Sequence, residues 1–167
     1  MEIFYIISQI FGFTAFVFSF FAYHRKKKEQ ILNFMLIHNI LNFFQYILLH
    51  AYSGCIIKII AILRDIFIIK KKDNQKLSSP IFLFIFILLY LVVAFFTYDG
   101  ILSLFPILSA TLYLIPIWNG DEKTIRITGI ATTLLWLIYN IFVHSIAGIA
   151  ENTLFIISTG IALYNNR

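Results

Sequence analysis

Apolar residues run in long blocks along this chain, separated by short polar breaks. A helix crossing a bilayer needs about 20 mostly apolar residues, because the hydrocarbon core is roughly 30 Å thick and a helix rises about 1.5 Å per residue. Seven blocks approach that length: Ile3–Tyr23, Ile31–His50, Tyr52–Ile69, Ile81–Thr97, Ile101–Trp118, Ile125–His144 and Ile146–Tyr164. They predict seven transmembrane helices. The third departs most from the pattern, since it carries Lys58, Arg64 and Asp65. Turn chemistry marks the breaks, at Ser53-Gly54, Ser78-Ser79-Pro80, Asp99-Gly100, Asn119-Gly120 and Ala147-Gly148.

Polar residues inside the blocks are not scattered. The second block carries His38, Asn39, Asn42, Gln45, Tyr46 and His50, and at about 100° per residue these fall on one stripe about 140° wide. The sixth carries Thr132, Thr133, Trp136, Tyr139, Asn140 and His144, the same six positions shifted by 94 residues. That shift also places Phe11 on Phe105, Ile31 on Ile125, Gly54 on Gly148 and Ile62 on Ile156. Helices one to three therefore correspond to helices five to seven, with the fourth as a linker. An odd linker gives both halves the same orientation, so the expected fold is an all-α integral membrane protein with two parallel triple-helix bundles in a 3+1+3 arrangement. The boundaries are 1–72 for the first bundle, 73–99 for the cytoplasmic loop and linker helix, and 100–167 for the second bundle.

Composition agrees with this reading. Sixty per cent of the 167 residues are hydrophobic, 13% are charged and 19 are Phe, whereas soluble domains average about 25% charged. Too few charges are present to cover a water-facing surface. The formal charge of +5 matters less than where the basic residues stand. With the amino terminus outside, the inward loops and tail hold Arg25, Lys26, Lys27, Lys28, Lys70, Lys71, Lys72, Lys76, Lys123 and Arg167. The outer connections near Ala51, Asp99 and Ser145 hold none, which is the positive-inside pattern. The basic loops read as topology signals and contacts to anionic lipid, with no nucleic-acid partner. His24-Arg25-Lys26-Lys27-Lys28 follows the first block where a cleavage site would need small residues, so no cleaved leader is expected. Cys55 is the single cysteine, which excludes an internal disulfide.

Amides and imidazoles do not face lipid cheaply, so both stripes are expected to face protein or a watered cavity. Interhelical hydrogen bonding is the plain explanation; lining a solute site is the functional one, and one stripe can serve both. Charges within the spans point more sharply to function. Lys58 and Glu151 stand at similar depth and are candidates to pair across the pseudo-twofold axis. Lys58 and Asp65, seven residues apart, share a face about 10 Å apart along the helix. Trp118, Tyr52, Tyr98 and Tyr164 read as interfacial anchors. Neither metal-ligand spacing, nor a phosphate loop, nor a nucleophile with its base is present, so no cofactor and no enzymatic activity are expected.

Two stretches carry a resemblance. Leu48-Leu49-His50-Ala51-Tyr52-Ser53-Gly54 with Ala61-Ile62-Leu63-Arg64-Asp65, and Leu135-Trp136-Leu137-Ile138-Tyr139-Asn140-Ile141 leading to Gly148 and Glu151, resemble the bacterial inner-membrane YgjV family. The resemblance covers nearly the whole chain and implies the bacterial cytoplasmic (inner) membrane. More distantly, the Trp136-x-x-Tyr139 helix end, followed by a turn and a helix bearing Asn152, looks like SWEET, semiSWEET and PQ-loop transporters. Those have 3+1+3 bundles with the amino terminus outside, and the resemblance implies pocket roles for Asn152 and Trp136. The first half departs from it, with Lys58 at the position of Asn152 and Asn42 at that of Trp136. Pro116-Ile117 and Ala22-Tyr23 stand where a Pro-Gln pair is expected, and the departures leave room for a charged or amphipathic solute.

The expected function is a transporter or facilitator of a small polar solute, with alternating access between the bundles. Asn42, Trp136, Asn140, Asn152, Lys58, Glu151 and Asp65 are the expected substrate-binding residues, and Pro106 and Gly12 the expected hinges. Seven helices complete a two-bundle unit, so oligomerisation is not required. The alternative is a non-transporting accessory, sensor or lipid-interacting protein, in which the stripes serve only as glue.

Overall fold

In the computed structural model, residues 2–25, 27–71, 77, 79–120 and 122–165 are described, with backbone alone at 23, 122, 123, 126 and 161–165. Lys26, Lys72, Lys76 and Arg167 lie outside the described residues, as do residues 73–75 of the expected cytoplasmic loop and the side chains of Lys123, Arg126 and Tyr164. Among the described residues there are seven α-helices and no strand: α1 Glu2–Tyr23, α2 Lys28–Leu48, α3 Tyr52–Lys71, α4 Pro80–Phe96, α5 Phe105–Asn119, α6 Glu122–Phe142 and α7 Ile146–Asn165. Each falls on one of the apolar blocks. By length and apolar character, three stretches are sufficient to cross a membrane: Glu2–Ala22, Lys28–Leu48 and Ile101–Asn119. Pro80–Phe96, Ile127–Phe142 and Ile146–Gly160 are apolar but shorter.

The helix ends follow from local chemistry. Ser79 caps α4, its hydroxyl accepting from the Ile81 amide at 3.4 Å, and Pro80 follows in the first turn where its missing N–H costs nothing. A 3-10 turn at Ile101–Leu104 leads into α5. Pro106 occupies the first turn of α5, so it starts the helix and does not hinge it; Pro116 is the interior proline. The α2–α3 corner is closed by His50 in the left-handed conformation (φ 55°). Around it the Ala51 amide donates to Tyr46 O at 2.9 Å and the His50 amide to Ile47 O at 3.2 Å, the Schellman pattern. The α6–α7 corner repeats it with His144 (φ 55°), Ser145 to Asn140 O at 2.9 Å and His144 to Ile141 O at 3.2 Å. His50 and His144 thus leave their stripes and become exposed helix caps.

Packing closes the helices into a ring. Neighbours run α1, α2, α3, α5, α6, α7 and back to α1, while α4 lies outside against α3 and α5. Under the 94-residue shift the α3–α5 seam corresponds to the α7–α1 seam. Most of the inner core gathers where α3, α4, α5 and α6 meet, with Tyr90, Leu114, Ile117 and Ile125 fully enclosed. Trp118 is in this core, stacked on Phe67 at 5.7 Å and only 4% exposed, so it is a packing residue and not an interfacial anchor. Tyr52 and Tyr98 are exposed, as anchors are. The outer surface is apolar, above all on α4, where Phe84, Leu88, Phe95 and Phe96 are uncovered. A face of that kind needs lipid or another apolar partner.

Candidate functional site

The two polar stripes meet at the centre of the ring. His38, Asn39, Asn42, Gln45 and Tyr46 on α2 are all buried, as are Thr132, Thr133, Tyr139 and Asn140 on α6. They meet in register: the Tyr46 hydroxyl donates to Asn140 Oδ1 at 2.9 Å, a contact between positions 94 residues apart. Both halves also cap each other. Gln45 Nε2 donates to Ser145 Oγ at 2.7 Å, at the start of α7. Its counterpart Tyr139 reaches the start of α3, where its hydroxyl accepts from the Gly54 amide at 3.0 Å and pairs with Ser53 Oγ at 2.8 Å. Replacing Tyr139 by Phe leaves a buried helix N–H and a buried hydroxyl unpaired. It is expected to cost about 1–3 kcal/mol, read from the denaturation midpoint of the protein in detergent.

Beneath the Tyr46–Asn140 contact lies a cavity of ≈ 90 Å³. At about 30 Å³ per liquid water, that is room for about three waters. Asn42, Lys58, Trp136, Asn140, Glu151 and Asn152 all line it. Asp65 does not. It stands behind the wall, fully buried, where Arg64 Nε and Nη2 both donate to its Oδ1 at 3.0 and 2.8 Å. Neighbours in a helix do not ordinarily face each other; the long arginine stem folds back to make the pair. Asn39 joins this pair to the cavity, donating from Nδ2 to Asp65 Oδ2 at 2.8 Å and accepting from Lys58 Nζ at 3.3 Å.

Lys58 and Glu151 line the same cavity without an ion pair between them. The Lys58 ammonium sits over the Trp136 ring, 4.3 Å from its centroid, a geometry that offsets part of its desolvation. Glu151 Oε1 approaches His38 Nδ1 at 3.4 Å. The same nitrogen is 3.2 Å from Ala15 O, and His38 Nε2 is 2.9 Å from Asn42 Nδ2. A proton on Nδ1 satisfies both contacts and leaves Nε2 to accept from the amide. Tyr46 stacks on Trp136 at 5.6 Å, so the lid and the wall of the cavity are one aromatic unit.

Arg64, His38, Asn39, Tyr46, Thr132 and Thr133 are among the wall residues that stood outside the expected site. Arg64 lies about 100° round the helix from Asp65, and the reach of its side chain brings it to the wall. Gly12, an expected hinge, instead marks a close approach. A Cβ there would lie 2.6 Å from Ala147 Cβ and 2.3 Å from Gln45 Nε2. No cluster of three or more His, Cys, Asp or Glu able to hold a metal occurs among the described residues.

The sequence profile of a bacterial inner membrane protein family, Imp-YgjV, matches residues 6–167. The chain belongs to this family. Neither the curated proteins nor the solved structures provide a significant match. Membership in Imp-YgjV places the exposed apolar belt of α4 and its neighbours against the lipid of the bacterial inner membrane.

Proposed function

We propose that the protein is a transporter or facilitator of a small polar solute, built as a 3+1+3 membrane protein of seven spans. The amino terminus lies outside and the carboxyl terminus in the cytoplasm. The triple-helix units α1–α3 and α5–α7 rock about the central cavity. The observation carrying this reading is the cavity itself, which is of mixed polar and apolar lining, lies between the two triple-helix units, and collects the charged and amide residues of four helices. The cross-half contacts Tyr46–Asn140, Gln45–Ser145 and Tyr139–Gly54 all stand on the His50/His144 side of the cavity.

Enzymatic chemistry forms no part of the proposal, and neither cofactor nor nucleic acid enters it. A non-transporting accessory role draws support from the same hydrogen bonds, which glue the halves together. Proteoliposome uptake separates the two readings, using sugars, nucleosides, amino acids and organic acids as the panel. At least one solute is expected to enter saturably. Trp136→Ala, which removes the aromatic wall, is expected to weaken its uptake by roughly tenfold or more while the protein stays folded. A folded protein that moves nothing across the whole panel would favour the accessory role.

A further inference from the structure

Resting on the solute-site reading above, the geometry points to the class of solute: we infer that the cavity takes a small monocarboxylate carrying a hydroxyl or ammonium group at its other end. Lys58 is on α3 and Asn152 on α7, and the two are counterparts under the 94-residue shift. Both line the cavity, one from each helix. Lys58 has three donors and one hydrogen-bonded acceptor among the described residues, Asn39 Oδ1 at 3.3 Å. The Asn152 amide Nδ2 is buried with no hydrogen-bond partner among the described residues, and the residue is 9% exposed. Unpartnered buried donors are uncommon, and each calls for an acceptor. A carboxylate supplies two acceptor oxygens, one for each donor.

Charge counting narrows the class further. The Arg64 guanidinium lines the cavity but is neutralised by Asp65, leaving Lys58 as a cation there with no carboxylate in direct ion-pair contact among the described residues. Glu151 contributes a negative charge to the same space. A phosphate or dicarboxylate brings two negative charges against Lys58 and doubles the repulsion from Glu151; a monocarboxylate brings one, which an ammonium at the solute's other end offsets beside Glu151. The close partner of Glu151 is His38, at Oε1. Its second oxygen is available to accept from a hydroxyl or ammonium on the solute. The volume limits such a molecule to a few carbon atoms.

Matched probes test this on the full-length protein in detergent. Glycolate, lactate, glycine and alanine are compared with glycolamide, lactamide and propane-1,2-diol, by thermal shift and by tryptophan fluorescence, since the ammonium lies over Trp136. The acids are expected to bind at least about tenfold more tightly than their uncharged analogues. That preference is expected to vanish in Lys58→Met and to persist in part in Lys58→Arg. Neutral analogues binding as well as the acids would overturn the carboxylate assignment and leave the solute site standing. So would acid binding that survives Lys58→Met. If neither acids, analogues nor the wider uptake panel bind the folded wild-type protein, both the assignment and the solute-site reading fall. The comparison of acids with amides uses the wild type alone, so it holds even if a variant does not fold.

Discussion

Asp65→Ala is expected to lower stability by about 3–5 kcal/mol, the cost of stranding a buried charge. Asp65 is completely enclosed and Arg64 is 3% exposed. Removing the carboxylate leaves the guanidinium with the Tyr90 hydroxyl at 3.5 Å and the face of Tyr113 at 5.7 Å. Neither carries a compensating charge. It also strips Asn39 Nδ2 of its acceptor, and with that the alignment of Asn39 Oδ1 on Lys58. The double change Arg64→Leu with Asp65→Leu removes both charges and is expected to recover most of the loss, because a well-packed apolar pair replaces a buried ion pair at little cost. Denaturation in mixed micelles reads both. A double variant as unstable as Asp65→Ala would show that the pair is not what the residues contribute.

Gly12→Leu is the second large effect, with an expected cost near the top of the 1–3 kcal/mol range for overpacking. The Gln45 amide near the new Cβ is the end of a flexible side chain and can turn aside. Ala147 Cβ, at 2.6 Å, is fixed to the α7 backbone and cannot. α1 and α7 must therefore separate, which strains the Gln9 Oε1 contact to the Ala147 amide and the Gln45–Ser145 bond. Gly160 is the control. A Cβ there meets nothing within 4 Å, so Gly160→Ala is expected to gain about 0.5–1 kcal/mol from helix propensity alone. Equal effects at the two glycines would mean that the seam is not tight.

The stripes on α2 and α6 were legible because periodicity needs no knowledge of neighbours. Asn42, Trp136 and Asn140 line the cavity for that reason, Lys58, Glu151 and Asn152 reach it from α3 and α7, and the 94-residue shift locates the same corner twice. The misreadings come from side-chain reach and local backbone. Arg64 folds back onto the residue beside it, which Cα directions do not reveal. Asp65 consequently pairs with Arg64 and lies behind the wall. His50 and His144 fit the helical period, yet each sits in a left-handed cap where Gly is the usual signal. Pro106 looks like a helix interior until the 3-10 turn before it shortens α5. Trp118 ends an apolar block as an anchor would, but the Phe67 and Phe86 rings draw it inward.

The Tyr46–Asn140 contact also bears on how such a chain can arise. Two identical three-helix units assembled around the same axis would set like against like: Tyr would meet Tyr, and Lys58 would meet a second ammonium. A symmetric dimer cannot build a cavity with a cation at one position and an amide at its counterpart. Covalent duplication with a linking helix removes that constraint. In the proposed two-bundle arrangement, positions 94 apart are then free to differ, as where Tyr46 donates to Asn140 and where Lys58 and Asn152 line one cavity. A single chain of this kind acquires a polarity across its centre that no pair of equal halves can possess.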